Sequence, residues 1–208
     1  MFCPQEAQRI LSLLPTQNVR TQEQQDFQQF STPPSIAYLT AWAAKINKGD
    51  SVLEPSAGIG GIATFAKAWG AEVTVNELSK RRLGLLQAMG FDRTFNENAE
   101  QIDNVLPDEV QPSVVVMNPP FSSTAGRTKN NKTSNAERHI NQALERLNEG
   151  GRLVAVVGRG MADANYSKYW NKVREQYTIR ANIGIDGENY KKYGTTFDVQ
   201  IVVIDKTI

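Results

Sequence analysis

Two stretches of the sequence carry residues whose types and spacing can do chemistry. The first is Glu54-Pro55-Ser56-Ala57-Gly58-Ile59-Gly60-Gly61, which follows Val52-Leu53 and leads into a helical pattern from Ile62 to Trp69. Glycines between a strand and a helix let the backbone turn tightly and let a ligand approach where a Cβ would collide. Glu77 ends the next β-favouring run, about 20 residues past the glycines, where an acidic side chain accepts from ribose hydroxyls in dinucleotide-binding folds. The six-residue fingerprint that cradles a pyrophosphate is not kept, because Gly60 is followed at once by Gly61 and then by Ile62-Ala63-Thr64. A nicotinamide cofactor is disfavoured on that ground. An adenosine without phosphates needs only the ribose carboxylate and a close loop, and S-adenosylmethionine is the common ligand of that description.

The second stretch is Asn118-Pro119-Pro120-Phe121, directly after the apolar run Val114 to Met117. Asn-Pro and Pro-Pro are also turn dipeptides, so a plain turn closing a buried strand is the alternative. The tetrad resembles the motif of class I amino-methyltransferases. The resemblance implies that the Asn118 side-chain oxygen and the Pro119 carbonyl accept the hydrogens of an aromatic amine, whose lone pair is otherwise delocalised into its ring. The prolines aim the carbonyl and remove competing donors, and Phe121 offers a face on which an extruded base can stack. No metal is required.

Upstream, Phe30-Ser31-Thr32-Pro33 resembles the N-terminal cofactor motif of DNA adenine-N6 methyltransferases of the gamma motif order, including modification subunits of type I restriction systems. That likeness covers residues 30 to 206. It implies that Phe30, Thr32 and Pro33 cap the methionine end of the cofactor, that Glu54, Ser56, Gly58 and Gly60 form its loop, that Glu77 holds the ribose and that Leu78 packs on the adenine. Thr32-Pro33-Pro34 also reads as a plain helix start. Gly194-Thr195-Thr196 is similar to a segment of helicase-associated and mobile-element methyltransferases. Two departures stand out. Where the family places an aspartate after the third strand, this sequence aligns Asn98, whose oxygen can still accept from an adenine amine. The family also continues into a target-recognition domain, whereas this chain stops at Ile208. Sequence choice is then expected from loops, from a separate specificity or helicase partner, or to be largely absent.

The loops expected to meet nucleic acid interleave basic and aromatic residues: Arg127, Lys129 and Lys132 after the tetrad, and Lys191 and Lys192 with Tyr190 and Tyr193 near the end. The expected substrate is the N6 amino group of adenine in DNA. Methylation of guanine N2 in RNA and an accessory DNA-binding role remain alternatives. Methylation of protein glutamine is disfavoured, since that motif usually ends in tyrosine. His139 is expected at the surface, and Trp42, Trp69 and Trp170 in the core or an interface.

These residues need elements to hold them. Ile36, Leu39, Ala43 and Ile46 predict an amphipathic helix from Pro34. Strands are predicted at Val52-Leu53, 72–76, 93–95, 113–117 and 152–157, with helices between them over 62–69, 80–89 and 136–147. Residues 177–183 and 199–204 predict a closing antiparallel pair. The sum is an α/β, Rossmann-like class I methyltransferase fold, a mostly parallel seven-stranded sheet with helices on both faces. Residues 1–29 form an expected helical arm ahead of a methyltransferase domain over 30–208. Every motif falls at the carboxyl end of a strand, where such sheets bind ligands.

Composition adds exclusions. The 208 residues carry a formal net charge of +1 and one cysteine, Cys3, which rules out an internal disulfide framework. No run approaches the roughly 20 apolar residues that span a bilayer. The first thirty residues hold charges and glutamines where a signal peptide would be apolar. The expected compartment is the cytoplasm.

Overall fold

Val114-Val115-Val116-Met117 has every side chain buried, which only a strand covered on both faces allows. It lies in the middle of a seven-stranded sheet ordered β3-β2-β1-β4-β5-β7-β6. The strands are β1 (Ser51–Glu54), β2 (Glu72–Asn76), β3 (Arg93–Phe95), β4 (Val114–Met117), β5 (Arg152–Gly158), β6 (Thr178–Ile185) and β7 (Val199–Asp205). The first five pair in parallel, and β7 runs antiparallel to both of its neighbours, β5 and β6. The order reverses direction between β1 and β4, and a ligand crevice opens at such a switch point. The computed structural model describes residues 9, 13, 31–120, 135–193 and 196–207.

Among the described residues six α-helices cover the sheet: α1 (Pro34–Ala43), α2 (Gly61–Ala68), α3 (Lys80–Ala88), α4 (Ile102–Val105), α5 (Asn135–Arg146) and α6 (Asp163–Gln176). Pro34 starts α1 at a position where its missing N–H costs nothing. The Ser79 hydroxyl accepts from the Arg82 N–H and caps α3. One core joins α1, α2 and α3 to one face of the sheet through Ile36, Ala41, Ile62, Ala66 and Leu86. The other packs α5 and α6 on the opposite face through Ile140, Leu144, Trp170 and Val173. Each face thus buries two residues of β4, Val114 and Val116 on one side and Val115 and Met117 on the other.

The elements predicted from Pro34 onward therefore form, and the sheet adds what pattern reading did not supply. Helix α6 lacks a clean apolar stripe, and its aromatic residues Tyr169 and Trp170 are buried by tertiary packing. Two expectations are corrected. His139 is buried rather than superficial, with 6% of its surface exposed, because α5 presses that face toward the glycine loop. Tyr190 is buried in the α1–α2 core and is not offered to a nucleic acid. Trp42, expected in the core or an interface, stands outside the core at 62% exposure. The N-terminal arm apart from Arg9 and Leu13, and the expected contacts Phe30, Phe121, Arg127, Lys129 and Lys132, lie outside the described residues. Among the described residues no helix is long and apolar enough to cross a membrane.

Candidate active site

The glycine loop leaves the end of β1 and turns through two left-handed residues, Gly58 (φ 59°) and Gly60 (φ 78°). A side chain at Gly60 would be strained by its φ, and its Cβ would lie 3.0 Å from Leu86 and 3.2 Å from the Phe91 ring. Glu77 locks this loop: its Oε2 accepts from the Gly58 N–H at 2.8 Å and its Oε1 from the Ser79 N–H at 2.9 Å. A carboxylate oxygen has room for a second hydrogen bond, so the group that shapes the loop can also receive a ribose hydroxyl. Glu54, fully buried, accepts from the Ala63 N–H at 2.8 Å at the start of α2. Burial raises its carboxyl well above the usual range, the Ala63 hydrogen bond opposes this, and the charge of Glu77 adds to it.

Asn76, which ends β2, is a residue that sequence reasoning missed. Its amide donates to the Pro55 carbonyl and to the Glu97 carbonyl, both at 2.9 Å, and accepts from the Glu97 N–H at 2.8 Å. One buried side chain thereby ties together the loops after β1, β2 and β3. The available signal was a polar residue closing an otherwise apolar strand. Asn98 lies on the third of these loops as expected, but its Oδ1 accepts from the Glu100 N–H at 3.0 Å and so caps a 3-10 turn. Leu78 stands beside Glu77 with about half its surface exposed, an apolar patch among polar groups.

His139 reaches the same loop from α5, with its Nδ1 3.4 Å from the Ser56 hydroxyl. Burial lowers its pKa to about 4, with Glu100 pulling it up and Arg138 pushing it down. The ring is neutral at physiological pH, which suits a hydrogen bond to a serine beside a cationic cofactor.

Beyond β4 lies Asn118. Its Nδ2 donates to the Thr32 hydroxyl at 2.9 Å, which brings residues 86 positions apart into contact. Its Oδ1 is buried and has no hydrogen-bond partner among the described residues. Pro119 is buried beside it, and the buried Pro33 accepts the Ala37 N–H at the start of α1. The fold thus gathers Thr32, Pro33, Glu54, Ser56, Gly58, Gly60, Glu77 and Asn118 at one end of adjacent strands. Lys191 and Lys192 lie at the same end of the sheet, on the 3-10 segment Gly187–Tyr193 that joins β6 to β7, with Lys191 paired to Glu188 at 3.1 Å.

Residues 38–182 match the model of the methyltransferase small domain family. This chain belongs to that family. Its cofactor is S-adenosylmethionine, and the left-handed glycine loop with the Glu77 acceptor suits that ligand. The fold is shared with TrmN from Thermus thermophilus (20% identity, TM-score 0.64, covering 89% of this chain and 52% of TrmN). It is also shared with a protein assigned as an RNA methyltransferase from Pyrococcus horikoshii (19%, 0.70, 99% and 98%). A third is the M protein of the type I restriction enzyme EcoKI (17%, 0.69, 86% and 44%). The chain therefore spans about half the length of TrmN and less than half of the EcoKI protein. No curated protein matches its sequence.

Proposed function

We propose that this methyltransferase transfers a methyl group to the N6 amino group of adenine in DNA. The observation that carries the reading is the Thr32–Asn118 contact. It joins the segment that resembles the adenine-N6 cofactor motif to the tetrad that resembles the amino-methyltransferase motif, and it leaves the Asn118 oxygen without a partner among the described residues. An unpaired buried acceptor costs about 1–3 kcal/mol, and an incoming amine hydrogen removes that cost.

S-adenosylmethionine, when bound, supplies an electrophilic methyl group on a sulfonium. Thr32, Pro33 and Phe30 cap its methionine end, Glu77 receives its ribose, and Leu78 and Asn98 flank its adenine. Asn118 Oδ1 and the Pro119 carbonyl hold the two amino hydrogens of the target, which returns the lone pair to nitrogen. A nitrogen held in this way would be free to accept that methyl group, with one amino proton released to water. Positioning supplies most of the acceleration. Phe121 stacks on the extruded base, worth about 1–3 kcal/mol. Arg127, Lys129, Lys132, Lys191 and Lys192 meet backbone phosphates.

Incubation with labelled S-adenosylmethionine and either unmethylated DNA or RNA, followed by nucleoside analysis, tests this. N6-methyladenine is expected from DNA, and Asn118→Ala is expected to abolish it. Label confined to N2-methylguanine in RNA would overturn the reading.

A further inference from the structure

Strand β7 reads Val199-Gln200-Ile201-Val202-Val203-Ile204, and all six residues are buried. Gln200 is the only polar side chain in that run, at 7% exposure, and its Nε2 has no hydrogen-bond partner among the described residues. A buried amide without a partner is costly, so its presence in an apolar strand calls for a ligand. The residue lines an open cleft of about 310 Å³ together with Arg159, Gly184, Ile185, Asp186 and Asp198.

The sheet register places this cleft beside the active site. Met117 lies opposite Ala155, and Gln200 lies opposite Val157, two residues further along β5. Gln200 therefore lies two residues beyond the level of Met117, the last residue of β4, and two strand spacings from it, roughly 10 Å across the sheet. That distance is about three base steps along a nucleic-acid strand. Arg159 stands at the rim, three-quarters exposed, with its Nη1 held by Asp198 Oδ2 at 2.8 Å. Its remaining N–H groups have no partner among the described residues and face solvent. Phe197, next to Asp198, is 68% exposed. A polar amide in a cleft, an anchored guanidinium at the mouth and an exposed ring beside it are what a base on a phosphate backbone requires.

Building on the adenine-N6 reading, we propose that this cleft reads a second base of the DNA strand, within three positions of the methylated adenine. The Gln200 amide, one donor and one acceptor, matches the N6 and N7 edge of an adenine, and Arg159 takes the adjoining phosphate. The catalytic domain would then carry part of its own sequence choice.

The test uses the full chain, S-adenosylmethionine and a DNA pool with random bases at three positions on either side of a central adenine, with the context of each N6-methyladenine read by sequencing. The wild type is expected to favour adenine at one of these positions by about tenfold. Gln200→Leu should flatten that preference, and Arg159→Ala should lower methylation equally in all contexts. Because a buried substitution can impair folding, Gln200→Glu provides a second readout. Its carboxylate accepts but does not donate, so preference should move toward cytosine. A wild type indifferent at all six positions, or either Gln200 variant with an unchanged profile, overturns the cleft reading while leaving adenine methylation standing. Absence of N6-methyladenine in every context defeats the adenine reading and the cleft with it.

Discussion

Protonation of His139 should unlock the cofactor loop and destabilise the fold. The ring sits on α5 at 6% exposure, and its one side-chain hydrogen-bond contact among the described residues is Ser56 at 3.4 Å, while the charges of Glu100 and Arg138 near it are paired to each other at 3.1 Å. Burial is the largest cause of its shift from 6.5 to about 4. A group with a lowered pKa in the folded state binds fewer protons there than in the unfolded chain. Stability is therefore full above pH 6.5, falls as pH drops through the window to 4, and levels off below it. A difference of 2.5 pH units, at about 1.36 kcal/mol each, amounts to about 3 kcal/mol. That is a large part of the roughly 5–15 kcal/mol that holds a domain together. The perturbation is His139→Gln, which keeps a polar side chain of similar reach and does not titrate. Urea unfolding of both proteins between pH 7 and pH 4 provides the assay. Carboxylates titrate alike in the two proteins and cancel in the difference. The free-energy gap between wild type and variant should shift by about 3 kcal/mol in favour of the variant across that range. Parallel curves would refute the claim that the imidazole is buried neutral against the loop.

Asn76→Ala leaves the Glu97 N–H and the Pro55 and Glu97 carbonyls without their side-chain partner, and should cost about 2–4 kcal/mol in urea unfolding while weakening S-adenosylmethionine binding by calorimetry. Thr32→Val removes the hydroxyl that holds the Asn118 amide, so kcat is expected to fall about tenfold or more with the cofactor Kd changed far less, and Thr32→Ser should restore it. Equal loss of cofactor binding and turnover in Thr32→Val would show that Thr32 serves the cofactor alone.

Much of the site was legible before any fold was known, because its chemistry is written in short contiguous motifs. Val114 to Met117 reads as a fully buried strand, so the tetrad after it must lie at a strand end. The glycines at 58 and 60 can be recognised because left-handed turns restrict residue choice, and Glu77 because the βαβ unit sets its distance from them. Strand β3, three residues long, was also visible from its β-favouring residues between turn signals.

What pattern could not reach is proximity across the chain. Ser56 and His139 are 83 positions apart and Thr32 and Asn118 are 86 apart, and only the sheet order, with β4 laid against β1, brings them together. The burial of His139, Tyr190 and Gln200 has the same origin, since a polar residue carries no mark of which neighbour will cover it. Helix α6 escaped notice because its buried residues, Tyr169, Trp170 and Val173, do not form a regular stripe. The sequence by itself determined where the strands end and where the glycine loop turns, through local spacing and the restricted choice of residues at such turns. Only the tertiary structure decided which of the site residues touch and which acceptor is left unpaired, because those depend on packing between segments that local propensity does not connect.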